Sequence, residues 1–195
     1  DEVIEVMAKN DKISKSLHLP VQAGSDKILK AMNRSYDTSR YFTLIDKVKK
    51  AMPNITLSTD IIVGFPDETE EDYQKTVELI KKVRYHNAFI FMYSKRKGTI
   101  AEQMDNQVSL ATKHERISNL LEIQHEISTQ LFNEMVGTTQ RVLVESENNM
   151  FYISKTQCGK IAKISKSNER KLQLGNFYDC KIIEYKNGNL IGRID

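Results

Sequence analysis

Cysteine is nearly absent: Cys158 and Cys180 are the only two in 195 residues. That count excludes a disulfide framework and a paired-cysteine zinc site. It also falls short of the thiolates that hold a typical iron–sulfur cluster. No apolar run approaches the roughly 20 residues a membrane helix needs, and the mean hydropathy is -0.49. No basic-then-apolar leader opens the chain, which together with the scarce cysteine points to a reducing cytoplasm. An initiator Met is missing as well, and Asp1 to Met7 already read as helix, so a piece of a longer protein is expected. Internal repeats, low-complexity tracts, a phosphate-binding P-loop and a Ser–His–Asp motif are absent. His114-Glu115 starts no zinc-protease helix, because the residue four on from His114 is Ser118. The four histidines read as structural or surface residues.

What is present describes an ordinary globular polypeptide, with 39% hydrophobic and 28% charged residues. Its length suits one domain or two smaller ones. The formal net charge is +3, but it is unevenly placed: residues 1–136 carry net -1 and residues 137–195 net +4. Lys155, Lys160, Lys163, Lys166, Arg170 and Lys171 oppose only Glu169 in one short stretch. A small basic module on a neutral body suggests a polyanionic partner, while a solvated lysine-rich face explains the same charges equally well.

Hydrophobic periodicity changes character along the chain. Residues 15–21 alternate with period two and read as a strand. Ser25 is placed to cap a helix over 26–32, and Thr38 another running to about Ala51. The β-branched run from Ile55 to Val63 reads as a buried strand, broken by Gly64-Phe65-Pro66-Asp67. Thr69 opens a helix with Glu70, Glu71 and Asp72 in its first turn, favourable beside the positive helix end. Residues 88–93 form a third strand, and Ser94 to Ile100 a polar loop. Alternating strands and helices over 15–105 predict a parallel sheet with crossover helices. A long amphipathic helix then covers 109–135 and stops at Gly137.

Beyond Gly137 the period is two. Five short strands are expected over 141–145, 151–153, 160–164, 178–185 and 190–194, the last two joined by an Asn187-Gly188 hairpin turn. Five short strands with basic loops fit an OB-like barrel. The fold class is α/β followed by a small five-stranded β-barrel, with the domain boundary at about residue 136. Phe151, Tyr152, Phe177 and Tyr178 are candidates for base stacking, although strand alternation makes core the default for Phe151 and Phe177.

Ligands of open parallel sheets bind at the carboxyl ends of strands, and three such ends are distinctive. In the first, Gly24 permits close backbone approach, and Gln22 and Ser25 offer neutral donors and acceptors. In the second, Gly64 leaves room for a flat ring against backbone. In the third, Lys95, Arg96 and Lys97 are suited to a carboxylate or phosphate. Tight turns, helix starts and a solvated loop account for each of them singly, and spacing alone names no ligand.

The blocks Leu17-His18-Leu19-Pro20-Val21-Gln22-Ala23-Gly24-Ser25-Asp26 with Met32-Asn33-Arg34, Thr59-Asp60-Ile61-Ile62-Val63-Gly64-Phe65-Pro66 with Glu68 to Asp72, Tyr93-Ser94 with Arg96 and Gly98-Thr99, and Gly137 to Glu145 occur in this order. Together they resemble the radical S-adenosylmethionine methylthiotransferase family over nearly the whole chain. The resemblance implies the C-terminal half of a partial parallel (β/α) radical SAM barrel over 1–136 and a TRAM RNA-binding domain over 137–195. It implies addition of a methylthio group to isopentenyl-adenosine beside the tRNA anticodon, by radical chemistry using S-adenosylmethionine and two [4Fe-4S] clusters. The cluster ligands are absent from this chain, so it is expected to be inactive alone. The resemblance carries S-adenosylmethionine contacts onto Gln22, Ser25, Asp60, Gly64 and Tyr93, with Arg96 on a carboxylate or phosphate. Cationic contacts to the tRNA anticodon stem-loop fall on Arg141, Lys155, Lys160, Lys163, Lys166 and Lys171. The segment from Ser154 to Lys160 and the position of Lys97 depart from the usual family pattern. A non-catalytic RNA-binding module remains an alternative. So do the sister branches, which act on threonylcarbamoyl-adenosine tRNA or on a ribosomal-protein aspartate.

Overall fold

A computed structural model describes residues 1–166 and 171–194. Glu169 and Arg170 of the basic stretch lie outside the described residues. Contacts divide the chain into two compact units: residues 17–128, and residues 1–16 together with 129–195. That division departs from the boundary read at 136. The helix α6 (Leu110–Asn133) contributes its last residues to the second unit, where Phe132 and Met135 pack with the β-barrel. Helix α1 (Glu2–Lys9) belongs to that unit too.

The first unit is built on three strands in the order β1 (Ser16–His18), β2 (Thr56–Val63) and β3 (Asn87–Met92). β2 and β3 are parallel. β1 is shorter than the expected 15–21, since Pro20 has no N–H to give to a ladder. Pairing resumes at an isolated parallel bridge between Gln22 and Ile61. Helices α2 (Asp26–Ala31) and α3 (Thr38–Ala51) connect β1 to β2, and α4 (Glu70–Val83) connects β2 to β3. A single turn of helix, α5 (Ile100–Gln103), was not expected from the sequence.

The helix starts follow local chemistry. The Thr69 side chain accepts from the Asp72 N–H while Asp72 reaches back to the Thr69 N–H, a complete capping box. Asp37 rather than Thr38 caps α3, accepting from Arg40 N. Asp and Thr both suit a cap, and the sequence placed it one residue late.

The sheet is covered on one face only. On β2, Leu57, Thr59, Ile61 and Val63 are buried, as is the facing row of α4: Tyr73, Val77, Ile80 and Val83. The other face carries His18, Ser58, Asp60 and Ile62, and on β3 Phe89 and Phe91, which are 49% and 52% exposed. The β2 run was expected to be buried throughout, because parallel strands are normally covered on both sides. Within the described residues only one of those covers is present.

The second unit contains β4 (Thr139–Glu147), β5 (Phe151–Thr156), β6 (Ile161–Ser165), β7 (Phe177–Lys186) and β8 (Asn189–Arg193), closed in the order β4-β5-β6-β8-β7. β6 and β8 are parallel and the other pairs antiparallel. Val142, Val144, Tyr152, Ala162, Ile164, Cys180, Ile182 and Leu190 fill the interior by strand alternation. Asn187 and Gly188 both have positive φ, as the primed hairpin turn requires.

Candidate functional site

The carboxyl ends of the three strands lie side by side. Gln22 N donates to the Asp60 carbonyl and Ile62 N to the Gln22 carbonyl, each at 2.9 Å, and Tyr93 N donates to the Val63 carbonyl at 2.8 Å. Gln22, Gly64 and Tyr93 thus occupy one edge of one sheet. Ala23 and Phe65 share a small apolar cluster with Tyr93 at its side, and the Phe65 and Tyr93 rings meet edge to face at 5.1 Å. Gln22 sits at φ 71. A left-handed non-glycine backbone is uncommon, and where it occurs it often marks a functional constraint.

The loops are held by contacts that no local sequence pattern announces. Gly24 lies close against α4: a Cβ there would lie 2.4 Å from the Lys75 carbonyl oxygen and 2.5 Å from Thr76 Cα. The Gly24 N–H also donates to Thr76 Oγ1. The Ser25 hydroxyl, read as a helix cap and as a ligand contact, makes no cap bond and donates instead to Asp72 Oδ1 at 2.6 Å. Lys27 Nζ reaches Asp72 Oδ2 at 2.9 Å. Burial alone would raise the Asp72 carboxyl. The hydrogen bonds from Ser25, Lys27 and Thr69 outweigh it and hold the group well below the usual carboxylate range. The cleft of about 410 Å³ next to Gly24 and Ser25 lies among α2, α3 and α4, with Lys27, Phe42, Lys75 and Lys82 in its walls.

The second and third loops are tied to α6. Glu68 accepts from the Gly64 N–H at 2.6 Å and pairs with Arg116 at 2.7 Å, with Glu68 and Arg116 both buried. Burial pushes the Glu68 carboxyl up, against the pull of the Gly64 N–H and the guanidinium. The Lys113 stem occupies the space a Gly64 side chain would take, and its Nζ donates to the Tyr93 carbonyl at 3.0 Å. The room beside Gly64 is therefore filled, in part, by this lysine. Lys113 and Arg116 escaped the sequence reading, because their partners lie 20 or more positions away. The Tyr93 hydroxyl is buried and has no hydrogen-bond partner among the described residues. Arg96 is exposed, as are Lys95 and Lys97.

On the open face of the sheet, His18 Nδ1 lies 3.0 Å from Ser58 Oγ, and Nε2 lies 3.4 Å from Asp60 Oδ2. Its ring meets the Phe89 ring edge to face at 6.0 Å. Asp60 keeps about a third of its side-chain surface. His18 is thus an exposed histidine, as expected, within a polar group on the open face of the sheet.

The cysteines do not fit an iron–sulfur cluster. Cys180 is buried in the barrel interior, where desolvation pushes its thiol up to about 11. Cys158 Sγ sits 2.8 Å from Thr156 Oγ1. Among the described residues no three Cys, His, Asp or Glu side chains converge as metal ligands.

The six barrel cations expected to contact RNA are not equivalent. Lys160 Nζ lies 3.9 Å from the Phe132 ring centre and 5.4 Å from that of Tyr185, and desolvation there lowers its basicity. It is a packing element of the barrel end. Lys155 is 3.8 Å from Glu145, and Lys166 is 2.7 Å from Glu147 and sits over the Tyr152 ring. Arg141 lies over the Phe177 ring at 4.9 Å. Lys163 is half-buried and Lys171 exposed. Tyr152 is core, and Phe177, expected inside, is 56% exposed. Phe177 opens β7 opposite Leu143, on the outer side of the alternation that sends Val142 and Val144 inward.

A three-stranded, partly parallel sheet unit with a polar and aromatic strand-end edge is followed in sequence by a closed five-stranded OB-like barrel. The sequence profile of the radical SAM superfamily matches residues 1–80, and that of the TRAM domain residues 133–195. The chain thus carries a stretch that matches the radical SAM superfamily and, after it, a TRAM domain. Among curated relatives, the tRNA-2-methylthio-N(6)-dimethylallyladenosine synthase of Clostridium botulinum (strain Langeland) is 43% identical over 98% of this chain and 43% of its own length. The enzyme of that name from Fusobacterium nucleatum is 45% identical over all of this chain and 45% of its own. The chain thus spans a little under half the length of these relatives. Coproporphyrinogen III oxidase (HemN) from Escherichia coli, a radical SAM enzyme, superposes with a TM-score of 0.50 at 17% identity. That superposition covers 58% of this chain and 27% of HemN, a likeness of fold alone. No helix among the described residues is long and apolar enough to cross a membrane.

Proposed function

We propose that this chain supplies part of the adenosyl-ligand bed and the RNA grip of a tRNA methylthiotransferase. The proposed enzyme adds a methylthio group to isopentenyl-adenosine next to the anticodon, in the cytoplasm. The observation that carries the reading is the juxtaposition of Gln22, Gly64 and Tyr93 on one sheet edge, in a chain 43% identical along nearly its whole length to synthases of that name. S-adenosylmethionine, when bound, would supply the radical precursor. Gln22, Asp60 and the Tyr93 hydroxyl are the polar groups proposed to meet it. Ser25 and Gly64 act by holding the loops, Ser25 through Asp72 and Gly64 through Glu68. Arg96 remains a candidate for the ligand's carboxylate or a phosphate. Among the described residues the two clusters of such enzymes find no ligand set. Arg141, Lys155, Lys163, Lys166 and Lys171 are proposed to meet the tRNA anticodon stem-loop, with Lys160 behind them as packing.

Deleting the gene that encodes the chain and analysing the nucleosides of bulk tRNA tests the reading. Loss of the methylthio group, with the isopentenyl group retained, is the expected result. An unchanged methylthio nucleoside, with loss of modification on threonylcarbamoyl-adenosine or on a ribosomal-protein aspartate, would assign the chain to a sister branch.

A further inference from the structure

The outer wall of the barrel carries a strip that cation counting does not reveal. Strand register places Phe177 opposite Leu143, Leu143 opposite Lys155, and Lys155 opposite Ile161. These four residues, on β7, β4, β5 and β6, form one continuous row across four strands. A neighbouring row pairs Ile153 with Lys163 and Lys163 with Ile191. Phe177 and Ile161 are 56% and 42% exposed. This apolar surface alternates with cations, and Arg141 brings its guanidinium carbon 4.9 Å from the Phe177 ring centre. Asp179, opposite Arg141, and Glu145, beside Lys155, are acids next to this strip, and Glu147 pairs with Lys166 further along β4.

We propose that this strip binds unpaired RNA, with the Arg141–Phe177 pair as the platform for one base and Lys155 and Lys163 meeting the backbone. The proposal rests on the RNA-binding reading above and deepens it. A duplex hides its base faces, so it gains only from the cations. An unpaired base gains from stacking on a guanidinium plane or an aromatic ring as well. The row of flat and apolar groups between cations matches the second ligand. Stacking is tolerant of base identity, so the strip selects strandedness and not sequence.

The test uses the 195-residue chain and an unstructured RNA of about a dozen nucleotides, free or annealed to its complement. Binding is read by fluorescence anisotropy over a range of salt concentrations. The single strand should bind more tightly than the duplex. Phe177→Ala should weaken single-strand binding about tenfold and leave the salt dependence unchanged, whereas Phe177→Tyr should restore it. Arg141→Lys, which keeps charge but loses the plane, should fall in between. Thermal unfolding checks that each variant still folds. If Phe177→Ala and Arg141→Lys bind the single strand like the parent, the platform is wrong while the RNA reading stands. Equal affinity for duplex and single strand overturns the preference. Absence of binding to either RNA at low salt overturns both readings. So does a concentration-dependent rise in mass that Phe177→Ala abolishes without any RNA binding, since the strip would then be a contact between copies of this chain.

Discussion

The two units solve the problem of unpaired backbone and apolar surface in opposite ways. Among the described residues the three-stranded sheet leaves both edge strands open and one face bare, with His18, Asp60, Phe89 and Phe91 on it. The barrel pairs every strand with two neighbours and keeps its interior filled. An open sheet presents strand ends and a face of mixed chemistry, where a small ligand meets loops from several strands. A closed barrel presents only side chains on its outer wall, a surface suited to a long polymer. The same contrast governs how residues are fixed. Loops of the sheet unit are held by buried charge and close backbone approach, and the barrel wall by strand register.

The largest effect expected is the loss of Arg116. Arg116→Met leaves the Glu68 carboxylate buried beside Gly64 without its cation and should cost about 3–5 kcal/mol in urea unfolding. Adding Glu68→Gln should recover part of it. If Arg116→Met is neutral, the loops are not held by this pair.

Gly24→Ala comes next, because the new methyl would meet backbone atoms of α4 that cannot step aside. About 2 kcal/mol or more should be lost. Gly188→Ala in the barrel has open space and only a positive φ of 74 to contend with, so about 1 kcal/mol is expected. Equal costs would erase the distinction between packing and conformation at the two glycines.

Asp72 makes the sheet unit sensitive to acid. Its carboxyl titrates lower in the folded chain than in the unfolded one. The stability it contributes is therefore present above the ordinary aspartate pKa of about 3.9 and lost as pH falls below it. Asp72→Asn should be less stable at neutral pH and show a flatter decline towards pH about 3. An unchanged slope would remove Asp72 from the account.

The smallest effects separate the barrel cations. Lys160→Met should lose about 1 kcal/mol of stability through its two rings and leave the salt dependence of RNA binding unchanged. Lys171→Ala should stay within about 0.5 kcal/mol in stability and lower the salt slope by somewhat less than one. The reverse pattern would exchange their roles.

Much of this organisation is legible in the sequence wherever the cause is local. Thr69 with Asp72, Asn187 with Gly188 and the alternation of Val142 and Val144 each announce their element within a few residues. Less is legible where a partner is remote. The close approach that Gly24 permits is taken up by α4 at Thr76, and the Ser25 hydroxyl meets Asp72 47 positions away. The contact of Lys160 with Phe132 likewise joins residues far apart in the chain. The grouping of residues 1–16 with the barrel has no local signal at all. Phe177 misleads for a different reason: alternation gives the period of a strand, and the inward phase is fixed only by its pairing with β4.

The division of labour between sheet and barrel is tested most directly by amide chemical-shift mapping of the isotopically labelled chain, titrated separately with S-adenosylmethionine and with the unpaired RNA. Shifts from the sulfonium nucleoside should cluster at Gln22, Asp60, Ile62 and Tyr93, and those from the RNA at Arg141, Leu143, Lys155 and Phe177. Both ligands perturbing the barrel wall alone, with the strand ends silent, would contradict it.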